Sequence, residues 1–171
     1  MVKSLTRRAV SLGLRKLPID FELRMRTGLE SMPLSADSMI QGYLNGFFPM
    51  GDESGKLEWR CPPQRGLIPI HDYRIPKNVK RLMRQKRFEI RVNSAFQETL
   101  SECASREQSW ITSELADVYR ALNNRGLITT VETWQDDELV SAIFGITIGS
   151  FYSGESEFHT VPDAVSYTHL R

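Results

Sequence analysis

The stretch from Leu127 to His159 limits the possible folds more than any other part of the chain. Leu127 to Trp134 is rich in Thr, Val and Ile, Gln135 to Glu138 is polar and short enough to turn, and Leu139 to Phe151 is apolar with glycines at 145 and 149. This pattern predicts a strand, a tight turn, and then a long strand or a pair of strands, all antiparallel. Side chains two apart in an extended segment share a face. Glu155 and Glu157 are therefore expected to converge at the mouth of the sheet, each opposing the charge of the other. Gly145 and Gly149 mark a bend or a close approach, with a substrate backbone as the sharper reading.

The segments before this sheet read as its support. Ser35 to Tyr43 predicts a short helix with Ser35 as N-cap and Met39, Ile40, Tyr43 and Leu44 on one apolar side. Ser38 is not the Glu or Gln of a full capping box, and Asn45-Gly46 ends the helix. Gly51 to Gly66 is turn-rich, and its two prolines leave Arg65 at a rigid corner, as a ligand for phosphate or carboxylate or as a salt bridge closing the loop. Leu67 to Ile70 predicts a short strand, and Pro76 opens a helix with Val79, Leu82 and Met83 on its apolar side. Phe88 to Val92 predicts another strand. Ser94 with Gln97 predicts a capping box for a helix through Phe96, Leu100 and Cys103, and Thr112 to Arg125 a further helix burying Leu115, Val118, Tyr119 and Leu122. The class is α+β.

A chain of 171 residues, 40% hydrophobic and 25% charged, can bury the core of one domain or two small ones. It has neither an apolar run of membrane-spanning length nor a secretory signal, so the expectation is a cytoplasmic protein with no membrane partner. Cys61 and Cys103 form no CxxC, and His71, His159 and His169 lack metal-ligand spacing, so neither a disulfide scaffold nor a metal site is expected. No P-loop, dinucleotide fingerprint or G-x-S-x-G elbow occurs. Residues 1 to about 28 are basic, with leucines at 5, 12, 14 and 17, and read as an external extension with a short amphipathic helix ending near Gly13 and Pro18. The net charge of +1 conceals an asymmetry. Arg74, Lys77, Lys80, Arg81, Arg84, Lys86, Arg87 and Arg91 stand against one acid, Glu89, whereas from Glu132 onward seven acids stand against Arg171. The basic stripe suits a polyanion and the acidic end a cation, while a solvated helix face explains the stripe equally simply.

Several motifs then fall into one pattern. They are Leu34-Ser35, Tyr43-x-x-Gly46-x-Phe48-Pro49, Trp59 with Cys61-Pro62-x-x-Arg65, Asn93-x-Ala95-Phe96, Cys103-Ala104 and Trp110-Ile111-Thr112. They continue through Val131-Glu132-x-Trp134, Glu138-Leu139-Val140, Phe144-Gly145 and Gly154-Glu155-Ser156-x-Phe158. The chain resembles the leucyl/phenylalanyl-tRNA–protein transferases of the bacterial N-end rule. The resemblance implies a small N-terminal α/β domain followed by an acetyltransferase-like mixed sheet with helices. It divides the chain into a basic extension (1–33), the small domain (34–75) and an incomplete acetyltransferase-like domain (76–171).

The implied activity is transfer of leucine, phenylalanine or methionine from aminoacyl-tRNA to proteins beginning with Arg or Lys, which marks them for degradation. It implies no cofactor beyond the charged tRNA, and the expected state is a monomer. Residue by residue, Glu155 corresponds to the glutamate of the family's Gly-Glu-Ser-Met-Phe motif and is the implied catalytic group. Trp59, Trp110, Phe144, Ser156, Glu157 and Phe158 are implied for the substrate pocket, and Arg65, Lys77, Lys80, Arg81, Arg84, Lys86 and Arg87 for tRNA phosphates. Alternatives are a small-molecule N-acyltransferase and a non-catalytic tRNA- or protein-binding remnant; the former lacks its glycine-rich pyrophosphate turn.

The chain also departs from the family pattern. Glu157 replaces a methionine, Arg60 a second tryptophan, Ser141-Ala142 a Gly-Gly pair and Thr129-Thr130 a His-Ser. Val165-Ser166 occupies the place of a Ser-Lys helix, Tyr167 to Arg171 does not resemble the family, and the Asp-Cys-Gln strand that follows in relatives has no counterpart. The expectation is an incomplete copy, from a shortened reading frame or a foreign tail, with weak tRNA binding and slow transfer.

Overall fold

The computed structural model of the chain describes residues 15–18, 32–52, 54–68, 75, 77–107 and 109–164. Most of the basic N-terminal segment, His71, Arg74, Pro76 and everything from Val165 onward, His169 included, lie outside the described residues.

Where a helix ending at Pro18 is expected, Arg15–Pro18 forms a strand, β1, paired antiparallel with β4, Gln64–Leu67. The strand expected at Leu67 to Ile70 lies earlier and ends at Leu67, because Gln64 and Arg65 find backbone partners in β1 that local composition does not announce; residues 69 and 70 lie outside the described residues. Helix α1 covers Ala36–Leu44, and β2 (Phe48–Gly51) and β3 (Leu57–Arg60) make an antiparallel hairpin within the turn-rich region. At the start of α1, Ser38 completes the capping box that its side-chain type argued against. Ser35 N–H donates to Ser38 Oγ at 2.8 Å and Ser38 N–H to Ser35 Oγ at 3.1 Å. A serine hydroxyl both donates and accepts, so two serines satisfy the reciprocal pair.

After α2 (Lys77–Gln85) the chain builds the principal sheet: β5 (Glu89–Val92), β6 (Ile128–Gln135), β7 (Glu138–Ile148) and β8 (Phe151–His159), in that spatial order and antiparallel at each pairing. The predicted turn is present: Asp136 and Asp137, at φ +52° and +62°, supply the left-handed pair that a two-residue hairpin requires. The long apolar run is two strands, reversed at Gly149, where φ is +58°.

Helices α3 (Phe96–Ala104) and α4 (Ser113–Asn124) cover one face of this sheet. Ile128, Ala142, Phe144, Ile146 and Phe158 meet Phe96, Leu100 and Cys103 of α3 and Leu115, Tyr119 and Leu122 of α4. Ala36, Met39 and Tyr43 of α1 enter the same cluster, so the N-terminal part shares the core of the main sheet. Phe144 takes part in two edge-to-face contacts, with ring centroids 6.3 Å from Phe96 and 5.0 Å from Tyr119. A smaller cluster joins Leu82 of α2 to Phe88, Val140 and Ala164. This small N-terminal α/β part, followed by a helix-backed sheet, matches the acetyltransferase-like architecture that the resemblance implies.

Helix α3 is not capped by Ser94 and Gln97. Its N-cap is Ala95, with no side-chain cap of its own. The fully buried carboxylate of Glu132, on β6, instead accepts from Ser94 N–H (3.0 Å), Ala95 N–H (3.1 Å) and the hydroxyls of Ser94 (3.0 Å) and Thr130. A carboxylate at a helix N-terminus satisfies free N–H groups and complements the dipole, and Glu132 takes that role from 37 residues away.

Candidate active site

Strand β8 carries one residue more than β7 can pair. Phe144 faces Ser156 and Gly145 faces Gly154, which leaves Glu155 as the extra residue of a β-bulge. A bulge re-aims the side chain at its centre. Here it turns Glu155 to the helix-covered face, where its Oε2 accepts from the hydroxyls of Tyr43 in α1 (2.6 Å) and Tyr119 in α4 (3.0 Å). The Ser153 hydroxyl, two positions earlier on the same strand, also lowers the proton affinity of the carboxylate. Glu157 lies opposite Ile143, alternating with the buried Ser156 and Phe158, and so faces the other side of the sheet. The expected convergence of the two glutamates is therefore corrected: the period-two rule holds only for an unbroken strand, and the bulge breaks it between them.

Enclosure dominates the electrostatics of Glu155. Burial pushes its carboxyl above the usual carboxylate range, while the hydrogen bonds from Tyr43 and Tyr119, the Ser153 hydroxyl and the guanidinium of Arg65 pull it back in part. Burial, followed by the adjacent carboxylate, lifts Tyr43 and Tyr119 well above an ordinary phenol. Both stay protonated as donors, and Glu155 stays the group that gains or loses a proton. Tyr152, on the same strand, is also raised by burial and then by Glu155 and Glu157.

Arg65 approaches from β4. Its Nη2 donates to Gly46 O at 2.8 Å, its guanidinium lies 4.8 Å from the Phe48 ring centroid, and its enclosed Nε has no hydrogen-bond partner among the described residues. Arg106, in the loop after α3, donates from Nη2 to Ser156 Oγ at 2.6 Å and from Nε to Cys103 O at 3.2 Å. The thiol of Cys103 is buried in the core and pushed up to about 11, chiefly by desolvation. Gly145 owes its missing Cβ to the protein itself: an added methyl would strike Ser153 O and come within 2.6 Å of the Tyr152 ring. The close approach expected there is made by the neighbouring strand.

The structure does not bring the expected pocket residues into one cavity. Phe144 and Phe158 are core residues, 0% and 6% exposed, and Ser156 is buried beside them. Trp59 packs under α1, where a Cβ on Gly42 would lie 2.5 Å from its ring, and its indole N–H donates to Met32 O at 2.9 Å. It lines a separate cavity of about 220 Å³ with Leu34, Pro49, Leu57, Glu58 and Glu114. Trp110 is half-buried against the main core, with its carbonyl facing Gly51.

Lys77, Lys80, Arg81, Arg84, Lys86 and Arg87 are all exposed on or just after α2, whose Val79 and Leu82 turn inward. Arg91 leaves this stripe. It pairs with Glu89 (2.7 Å) and Asp137 (2.9 Å), and its guanidinium stacks 4.5 Å from the Trp134 ring centroid. The described residues contain no group of His, Cys, Asp and Glu able to hold a metal, and no helix long and apolar enough to cross a membrane.

Tyr43, Tyr119 and Arg106 are absent from the sequence-derived site. The two tyrosines read as apolar positions of helix stripes. Their signal was the hydroxyl, since a tyrosine on a buried stripe must find a hydrogen-bond partner.

Comparison with known proteins places these residues in a wider group. The description "Leucyl/phenylalanyl-tRNA protein transferase" matches residues 67–170, and that of the N-terminal domain of the same proteins matches residues 32–63. A leucyl/phenylalanyl-tRNA–protein transferase of Gloeothece citriformis is 43% identical over 128 residues, which is 74% of this chain and 67% of the relative. One from a Nostoc species is 41% identical over 127 residues (74% and 66%), and one from Paramagnetospirillum magneticum is 36% identical over 146 residues (81% and 70%). The chain thus spans about two thirds of the length of these relatives.

Proposed function

Because the chain belongs to the leucyl/phenylalanyl-tRNA–protein transferase family, we propose that it transfers an aminoacyl group, leucine, phenylalanine or methionine, from tRNA to the α-amine of a protein beginning with Arg or Lys. In this reaction the amine nitrogen attacks the ester carbonyl, a C–N bond forms, the C–O bond to the tRNA ribose breaks, and the amine proton ends on the ribose oxygen. Glu155 accepts the hydrogen bond of the attacking amine and holds its proton in transit. A carboxylate with raised proton affinity, fixed by two phenols that stay protonated, suits that task. Its desolvated surroundings also favour aminolysis over hydrolysis of the ester.

The basic residues Lys77, Lys80, Arg81, Arg84, Lys86 and Arg87 hold tRNA phosphates, which positions the donor without reading its sequence. Phe144, Phe158 and Ser156 form the packed layer behind Glu155, and Trp110 contributes to an apolar site that separates Leu, Phe and Met from polar residues. Residues 34–75 are assigned to the small domain and 76–171 to the transferase domain.

The observation that carries the reading is the bulged Glu155, in Gly154-Glu155-Ser156, pinned by Tyr43 and Tyr119. The experiment is transfer of labelled leucine or phenylalanine from charged tRNA to an Arg-starting peptide, with an Ala-starting peptide as control. Label is expected on the first peptide only, and Glu155→Gln is expected to slow transfer by ~10²-fold or more. No labelled peptide from the unmodified chain refutes the activity; full rate in Glu155→Gln refutes the role of Glu155.

A further inference from the structure

Arg65 stands between two interpretations that make opposite demands on its side chain. A phosphate contact needs a guanidinium free to meet an incoming ligand. A positioning residue needs one already spent on the protein. The guanidinium of Arg65 is largely spent: Nη2 donates to Gly46 O at 2.8 Å and the plane lies on Phe48, with the ring centroid 4.8 Å away. Gly46, at φ +83°, is the turn that ends α1, and Phe48 opens β2. The two anchors therefore bracket the chain reversal immediately after Tyr43, the last buried residue of α1. The same reversal is held from the other side by Phe47 N–H donating to Gly42 O at 2.8 Å.

We infer that Arg65 is a positioning residue: by clasping the turn at Gly46 and the face of Phe48 it fixes the C-terminal end of α1, and so holds the Tyr43 hydroxyl on Glu155. Among the described residues Arg65 forms no ion pair within 4.0 Å. It lowers the proton affinity of both Glu155 and Tyr43, against the burial that raises them. The other groups acting on Glu155 are Tyr119 from α4 and Ser153 from β8; Tyr152 of β8 feels both Glu155 and Glu157, the latter from the opposite face of the sheet, and Arg106 is tied to the adjacent Ser156. Arg65 is the cation among those acting directly on the carboxylate. A planar fork that donates, stacks and carries charge at once is specific to arginine; lysine supplies the charge alone.

The inference extends the proposed transferase reading, yet the decisive measurement does not require activity. Carbon NMR of ¹³C-Glu-labelled protein, with Glu155→Gln to assign the signal, follows the titration of Glu155 in the parent, Arg65→Gln, Arg65→Lys and Tyr43→Phe. Arg65→Gln is expected to move the Glu155 titration to higher pH. Tyr43→Phe is expected to do the same, and adding Arg65→Gln to it is expected to move the midpoint by less than in the parent, because the two act through one contact. Arg65→Lys is expected to restore part of the shift. In the transfer assay Arg65→Gln is expected to lower kcat by tenfold or more, to carry the acidic limb of the rate profile upward with Glu155, and to leave the Kd for charged tRNA and its salt slope within twofold. A Glu155 titration unmoved by Arg65→Gln in a protein that still melts cooperatively overturns the inference. So does a loss confined to tRNA Kd with a salt slope reduced by about 0.7–0.9, which identifies a phosphate contact instead. If the parent transfers nothing, the titration still decides the role of Arg65, and only the transferase reading falls.

Discussion

Glu155 sits where its charge is poorly solvated, and two phenols, a hydroxyl and the Arg65 cation reduce that penalty without removing it. A carboxyl whose folded-state pKa lies above its unfolded value binds more protons folded than unfolded between the two values. Stability therefore falls as pH rises through that window, and the penalty is fully present at neutral pH. Glu155→Gln keeps an oxygen for the Tyr43 and Tyr119 hydroxyls but carries no charge. It is expected to raise the melting temperature at pH 7 by an amount corresponding to roughly 0.5–2 kcal/mol, at about 2–4 °C per kcal/mol for a chain of this size. The gain disappears below about pH 4, where the unfolded carboxyl is also protonated. Thermal melts of both proteins from pH 4 to 8 check this, and a constant or negative difference contradicts it. Glu155 itself is legible in the sequence through its Gly-Glu-Ser motif. Its environment is not, because the bulge that aims it and the tyrosines that hold it come from register and from residues 36 and 112 positions away.

The helices and strands are held by contacts that local pattern reads unevenly. The turn at Asp136-Asp137 and the apolar stripes of α3 and α4 are visible because they depend on residues a few positions apart. The cap of α3 is not, since Glu132 reaches it across the sheet while Gln97, the expected partner, accepts instead from Arg120 Nε at 3.3 Å. Glu132→Ala leaves the buried amide of Ala95 without an acceptor, at ~1–3 kcal/mol, and the part-buried amide of the exposed Ser94 without one at a smaller cost. It is expected to lower the melting temperature by roughly 6 °C or more, whereas Gln97→Ala, on an exposed surface, stays within about 0.5 kcal/mol. Comparable melting temperatures for the two variants contradict the assignment. Glycines in α1 and β7 differ in what a side chain would meet. In Gly42→Ala the new methyl meets the Trp59 ring at 2.5 Å, and in Gly145→Ala it meets backbone, the carbonyl of Ser153. A ring shifts at ~1–3 kcal/mol, but a carbonyl fixed in the β7–β8 ladder shifts only with its strand. Gly145→Ala is therefore expected to be the more destabilising in a denaturant titration, and to slow transfer as well because the displaced Ser153 leads directly into the bulge that carries Glu155.

Across the whole molecule charge is segregated, and the segregation is legible from composition because it needs no knowledge of contacts. What composition leaves open is which charges are free to act. Six cations on and after α2 stand exposed, and that helix carries no acid in its first turn, whereas Arg91 is bound by Glu89 and Asp137 and covered by Trp134. A cation already paired releases few counterions when a phosphate arrives, and an unpaired one adds about 0.7–0.9 to the slope of log K against log salt. The double variant Lys80→Ala/Arg84→Ala is thus expected to reduce that slope for charged tRNA by about 1.4–1.8, while Arg91→Ala leaves it unchanged and lowers stability through lost packing on Trp134. Filter binding of charged tRNA at several salt concentrations separates the two. Equal slopes for the parent and the α2 double variant would remove α2 from the nucleic-acid interface and leave its charge as a solvated helix face. A slope lowered by Arg91→Ala would mean that tRNA displaces Glu89 and Asp137, bringing the end of the sheet that carries Trp134 into the tRNA site.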